Sequence, residues 1–250
     1  MLFIQPPETN SILKSSDVFR FKQFQIAQNR AVHRVGTDGV LLGAWTNIYK
    51  SLQILDVGTG TGLIALMLAQ RTDPEVNIEA IEPDAFAFEL ATHNICESPY
   101  KQRVSVFKHS FQNFISEKKY DLIVCNPPFF ENSLKPPNEQ RSRERHSESL
   151  PHPVLIGTSN NLLSPSGRLA IILPVTEGNG FIKLAGSSGL NLSRQCAVFS
   201  KETKPQERWL LEFSVVQKAS PEQSKLTLLD SKGSWTDEYR LLTKNFYLHF

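Results

Sequence analysis

Asn126-Pro127-Pro128-Phe129 stands at the end of the apolar run 121–125. These four residues suit the presentation of a planar, weakly nucleophilic NH2 group in line with a methyl donor. The lone pair of such a nitrogen is delocalised into a ring or a carbonyl, so geometry is a larger obstacle than protonation. Two acceptors address it. The Asn126 amide oxygen and the Pro127 carbonyl can each take one N–H, and both stabilise the charge that builds on the nitrogen. The prolines fix φ and stiffen the loop. Phe129 offers a flat face on which a flat substrate stacks. The plain alternative is a proline-rich turn closing a strand, and a four-residue motif alone does not separate the two.

A second motif does more. Gln53 to Gly62 reads as a buried strand, a glycine turn and the start of a helix. Gly58, Gly60 and Gly62 let backbone approach a ligand closely. The spacing differs from the dinucleotide pattern G-x-G-x-x-G, because the third glycine comes one residue early and Asp56 precedes the first. A pyrophosphate has no use for an adjacent carboxylate, whereas an ammonium group does. Asp56 therefore points to the methionine end of S-adenosylmethionine rather than to NAD. A further apolar run, 77–81, ends in Glu82, about 20 residues past the glycines, where a nucleotide-binding α/β unit places its acid on the ribose. Upstream, His33 to Gly39 leads into an apolar helix. Gly36, Thr37, Asp38 and Gly39 have turn and helix N-cap chemistry. The functional reading places His33, Thr37, Asp38 and Gly39 over the carboxylate end of the cofactor, where helix N–H groups donate to an anion.

Together, Phe24 to Gln28, His33 to Gly39, Asp56 to Gly62 and Asn126 to Phe129 resemble the bacterial tRNA1(Val) (adenine-37-N6)-methyltransferase family. The ending 242–250 is similar to that family's tail. The resemblance runs from about Phe19 to Phe250, with 131–150 and 176–205 its least specific stretches. It implies a class I methyltransferase that uses S-adenosylmethionine and acts on an adenine beside the anticodon of tRNA. Carried over by position, it puts Asp56, Gly58 and Gly60 on the cofactor's methionine part, Glu82 on its ribose and Asn126 to Phe129 on the target base. For the cofactor's adenine, the choice between His109 and Ser110 stays open, with Ser110 taken as the candidate.

Placing these motifs requires an alternating fold. Apolar runs at 53–58, 77–82, 104–109, 121–126, 167–174, 193–199 and 208–216 alternate with helical patterns at 62–71, 84–96, 152–164 and 177–188. That order predicts a doubly wound, mostly parallel seven-stranded α/β sheet of the Rossmann-like class, with ligands at the carboxyl ends of its strands. The last strand is antiparallel by resemblance alone. Residues 220–234 read as a polar connector ahead of a helix starting near Trp235. A chain of 250 residues holds one sizeable core, so a single domain is expected: a basic extension over 1–34, a catalytic core over 35–217 and a tail over 218–250.

Hydrophobic content of 40% and charged content of 21% are ordinary for a globular protein. No apolar run reaches membrane-helix length and the N-terminal stretch lacks a signal-peptide pattern, so a cytoplasmic, monomeric protein is expected. Cys96, Cys125 and Cys196 suggest neither a disulfide framework nor a zinc site, and no metal is expected. Cys125 is expected in the core of its strand.

The net charge of +2 is small, but its layout is uneven. Residues 11–34 hold Lys14, Arg20, Lys22, Arg30 and Arg34 against Asp17 alone, whereas 51–100 hold eight acids against Arg71. RNA phosphates should favour the first region. Phe19, Phe21 and Phe24 interleave with its cations, which suits splayed bases; the plainer reading makes them core. In the loop after the Asn-Pro-Pro-Phe motif, Arg143 and Arg145 are further RNA candidates beside Lys22, Arg30 and Arg34. The whole loop 131–150 is nonetheless neutral.

Four other readings use the same residues. The Asn-Pro-Pro-aromatic motif also suits N2 of guanine in ribosomal RNA, N6 of adenine in DNA and the side-chain amide of glutamine in proteins. The fourth is an RNA-binding module that keeps the fold without the reaction.

Overall fold

Residues 53–57 and 120–125 are mostly apolar on both sides of the pleat, the pattern of strands covered on both faces. In the computed structural model, which describes residues 17–29, 32, 34–127, 150–217 and 220–250, they pair at the middle of an eight-stranded sheet. The described strands in chain order are β1 (Asp17–Arg20), β2 (Gln25–Gln28), β3 (Gln53–Val57), β4 (Asn77–Ile81), β5 (Val104–Phe107), β6 (Tyr120–Cys125), β7 (Leu163–Pro174), β8 (Asn191–Lys201), β9 (Gln206–Ser214) and β10 (Glu222–Leu229). The described helices are α1 (Thr37–Trp45), α2 (Leu63–Arg71), α3 (Ala85–Cys96), α4 (His152–Leu162), α5 (Val175–Ser187) and α6 (Asp237–Thr243).

The strand order is β10-β8-β9-β7-β6-β3-β4-β5, with β1 and β2 forming a separate antiparallel pair. All seven expected strands are present. The antiparallel one is β9, which lies between β7 and β8 and runs opposite to both. The expected polar connector at 220–234 is corrected by the structure, because β10 occupies most of it and pairs in parallel with β8. Only the second half of β10 is buried, so the strand shows half of an apolar run.

Period-2 alternation divides the core. Ile54, Leu122, Val124, Ile172 and Leu210 face one layer, with α1 and α2. Leu55, Ile123, Ile171, Leu211 and Phe213 face the other, with α4 and α5. Cys125 is buried, as expected. Helix α1 is buried from Gly39 to Trp45. It lies so close to α2 that a Cβ on Gly43 would fall 2.8 Å from Met67 Sδ. Among the described residues, no helix is long and apolar enough to cross a membrane.

The β1–β2 pair is fastened at two places. Asn94 on α3 accepts from the Ala27 N–H (2.8 Å) and donates to the carbonyls of Ala27 and Thr61 (both 2.9 Å), joining β2 to the glycine turn. Phe21 stacks on Phe24, with centroids 4.7 Å apart, and on Tyr247 at 6.0 Å. Phe21 and Phe24 are buried, so the plainer reading of these rings holds.

The chain runs outward from β3 through β4 to β5, then returns so that β6 pairs with the other side of β3. That reversal opens a crevice at the carboxyl ends of β3 and β6, the place where such sheets bind ligands.

Candidate active site

Three neighbouring strands end level with one another. Val57 on β3 pairs with Cys125 on β6 and with Ile81 on β4. Gly58, Asn126 and Glu82 therefore stand side by side along one edge, about 4.8 Å per strand. Beyond β3 the backbone turns sharply. Gly58, Gly60 and Gly62 have φ of 68°, 59° and 82°, a region that favours glycine. A Cβ on Gly58 or Gly60 would meet nothing within 4 Å, so both face open space in which a ligand fits. The turn is braced by Glu82, whose carboxylate accepts from the N–H of Gly60 (2.9 Å) and of Asp84 (3.0 Å).

Asp56 lies beneath this turn and is fully buried. One oxygen accepts from the Thr59 hydroxyl (2.6 Å) and the Ala65 N–H (3.1 Å). Its Oδ1 is buried with no partner among the described residues. Burial pushes its pKa up to about 7; Thr59 and Ala65 oppose that shift, and the Glu82 charge adds to it. A buried carboxylate with an idle oxygen is unfavourable alone and well suited to a cationic partner.

Asn126 also carries a buried Oδ1 without a partner among the described residues. The first turn of α1 lies against it: a Cβ on Gly39 would be 3.9 Å from Asn126 Nδ2 and 3.0 Å from Leu63 Cδ2. The site thus joins an acidic pocket under a glycine turn to an idle amide acceptor on the next strand.

The fold matches class I methyltransferases. A predicted O-methyltransferase from Agrobacterium tumefaciens superposes with a TM-score of 0.62 at 15% identity, covering 84% of this chain and 96% of that one. A methyltransferase from Pyrococcus furiosus gives 0.56 at 19%, covering 78% and 90%. The family profile of the methyltransferase small domain matches residues 35–177. A Bacteroides fragilis protein named tRNA1(Val) (adenine(37)-N6)-methyltransferase is 42% identical over 237 residues, 94% of this chain and 99% of that one. An Aliivibrio fischeri protein of the same name is 42% identical over 94% of this chain and 99% of its own. The chain belongs to the tRNA1(Val) (adenine(37)-N6)-methyltransferase family.

In this tRNA1(Val) methyltransferase family member, the structure brings Asp56, Gly58, Gly60, Gly62, Glu82, Gly39 and Asn126 to one sheet edge. Pro127 follows Asn126 and is buried. His109 and Ser110 lie just past β5; the His109 N–H donates to the Glu82 carbonyl (3.2 Å) and its Nδ1 is 2.8 Å from the Ser110 carbonyl. Pro128, Phe129, His33, Arg30, Arg143 and Arg145 lie outside the described residues.

Several of the expected residues make contacts within the chain. The N-cap of α1 is Gly36, and no side chain caps it, so Thr37 and Asp38 begin the helix rather than cap it. The Asp38 carboxylate pairs with Arg208 Nε at 3.0 Å. Lys22, expected on RNA, donates to the carbonyls of Lys244 (2.6 Å) and Phe250 (2.8 Å), because the hairpin turn packs beside the end of the chain. Arg34 forms an exposed pair with Asp17 at 2.9 Å.

Thr59, Asn94 and Arg208 do not stand out in the sequence. Thr59 has a local signal, a hydroxyl three residues after Asp56. Arg208 has none, since its partner is 170 residues away. A groove of about 570 Å3 opens at the opposite strand ends, lined in part by Gln53, Asn77, Arg103 and Lys118. Its three cations bond within the protein itself: Lys118 pairs with Glu79, Lys119 donates to the Asn161 carbonyl, and Arg103 donates to carbonyls at the end of α2.

Proposed function

We propose that the protein methylates N6 of adenine 37 in tRNA1(Val), with S-adenosylmethionine as donor. The observation that carries this reading is the buried Asn126 Oδ1, without a partner among the described residues, at the carboxyl end of β6 beside the acidic pocket of β3. Two features of the chain fit the donor: the unpartnered Oδ1 of Asp56 and the open space over Gly58 and Gly60. When bound, S-adenosylmethionine supplies the electrophilic methyl group.

The chain's own residues do the rest by placement. Asp56 holds the donor's ammonium group, Glu82 its ribose, and Ser110 or His109 borders its adenine. Thr37 and Gly39, with the α1 N-terminus, border its carboxylate, and His33 is assigned there too. The target adenine leaves its stack to enter the site, as bases must when enzymes act on them. Asn126 Oδ1 and the Pro127 carbonyl accept the two N–H groups of N6. The amino group is thereby held with its lone pair free to attack, and growing positive charge meets two oxygen dipoles. Pro128 stiffens this loop and Phe129 stacks on the base. The surplus proton goes to solvent. This route uses no metal and no covalent enzyme intermediate.

RNA phosphates approach from the side away from Glu82, Asp84 and Glu89. Arg34 can exchange Asp17 for a phosphate, and Arg30, Arg143 and Arg145 are assigned to the same contact. The protein works as a monomer in the cytoplasm. The test is transfer of labelled methyl to tRNA from cells lacking the protein, to ribosomal RNA and to a protein extract, followed by nucleoside and amino-acid analysis. N6-methyladenosine in tRNA alone is the expected result. N2-methylguanosine in ribosomal RNA, or methylglutamine in protein, would overturn it.

A further inference from the structure

The Asn126 side-chain oxygen has no hydrogen bond among the described residues. The first turn of α1 lies beside it, where the site of a Gly39 Cβ is 3.9 Å from Asn126 Nδ2. The start of α1 is itself loosely secured by local means. Its N-cap is Gly36, with no side-chain cap, and Thr37 is exposed. An uncapped first turn frays unless something holds it laterally.

Arg208 provides that hold. It is on β9, level with Pro174 on β7 and Val198 on β8, so the sheet fixes its backbone from both sides. Its Nε donates to Asp38 Oδ2 at 3.0 Å, and its Nη1 donates to the Glu207 carbonyl at 3.1 Å. The two side chains are only 31% and 24% exposed, so solvent screens the pair less than a surface one. Asp38 adjoins Gly39. The contact therefore runs from β9 through Asp38 and the first turn of α1 to Asn126.

We propose that Arg208 is a positioning residue for methyl transfer, acting through Asp38 to keep the first turn of α1 seated against Asn126. It governs the rate of the chemical step and leaves tRNA affinity unchanged. This inference rests on the reading of Asn126 as the acceptor of the target amino group.

A double-mutant cycle tests it. Wild type, Asp38→Asn, Arg208→Gln and the double variant are compared for single-turnover methyl transfer at saturating donor and tRNA. Dissociation constants for both and melting temperature are measured alongside. Each single variant is expected to slow transfer at least about tenfold, as small displacements at a reacting centre do. The double variant should be no slower than the worse single, because both break one contact. The dissociation constant for tRNA should stay within about twofold, and Arg208→Lys, which keeps a cation, should recover most of the rate. Should Arg208→Gln not fold, Asp38→Asn and Arg208→Lys still separate the outcomes. Full-rate single variants, or multiplying losses in the double, would overturn the proposal. So would weakened tRNA binding in Arg208→Gln with an intact rate, which would make Arg208 a phosphate ligand. Wild type that fails to methylate tRNA would remove the underlying reading instead.

Discussion

Asp56 is where acidity acts on this site. Its carboxyl is held at about 7 in the fold, against an ordinary value of 3.8. The ligand-free fold therefore binds this proton more tightly than the unfolded chain does. Its contribution to stability is fully present below about pH 4 and is lost as pH rises towards 7. Donor binding runs the other way, since an ammonium group needs the carboxylate. Affinity for S-adenosylmethionine should fall about fivefold from pH 7 to 6 as Asp56 takes up its proton. Calorimetric titration of wild type and Asp56→Asn checks this, the variant binding weakly with a flat profile. Asn126→Ala should lower the rate of methyl transfer by about two to three orders of magnitude while donor affinity is kept. A rapid-quench assay with a parallel binding measurement decides it. These residues are legible because each belongs to a short motif at a strand end. Asp38 is legible as part of a turn, but its pairing with Arg208 is not, because no local pattern links residues that only the sheet brings together.

At the scale of elements, the seven expected strands are readable because each forms an apolar run. Strand β10 is not: its first half is exposed and polar, and what makes it a strand is the neighbouring edge of β8. The stretch around Phe19 to Gln28 is misleading in part for the same reason. Its cations and rings look alike in a sequence, whether they face RNA or the chain's own C-terminal segment. Lys22 bonds to the latter. Lys22→Ala should reduce stability by about 1 kcal/mol and change tRNA affinity less than about twofold; denaturant melts and filter binding test both halves. Gly43→Ala should cost more, about 1–3 kcal/mol, because its methyl group would enter Met67 and force α1 and α2 apart.

For the molecule as a whole, acids crowd the β3–β4–α3 side, so phosphates are directed to the other flank. If three phosphates are contacted, tRNA affinity should fall on the order of tenfold between 0.1 and 0.3 M salt. A peptide substrate would show little of this, so a salt series on binding distinguishes the two classes. The placement of β9 carries a different implication, for synthesis. Strand β9 fills the gap between β7 and β8, yet it leaves the ribosome after both. Until Ser214 has emerged, β7 has an open edge and β8 has nothing to join it to the sheet. The nascent chain should therefore stay open to proteases and chaperones through the emergence of β8, then close abruptly. Arg208 arrives on that same closing strand, so the contact of Arg208 with Asp38 on the α1 turn forms only once β9 has docked between β7 and β8.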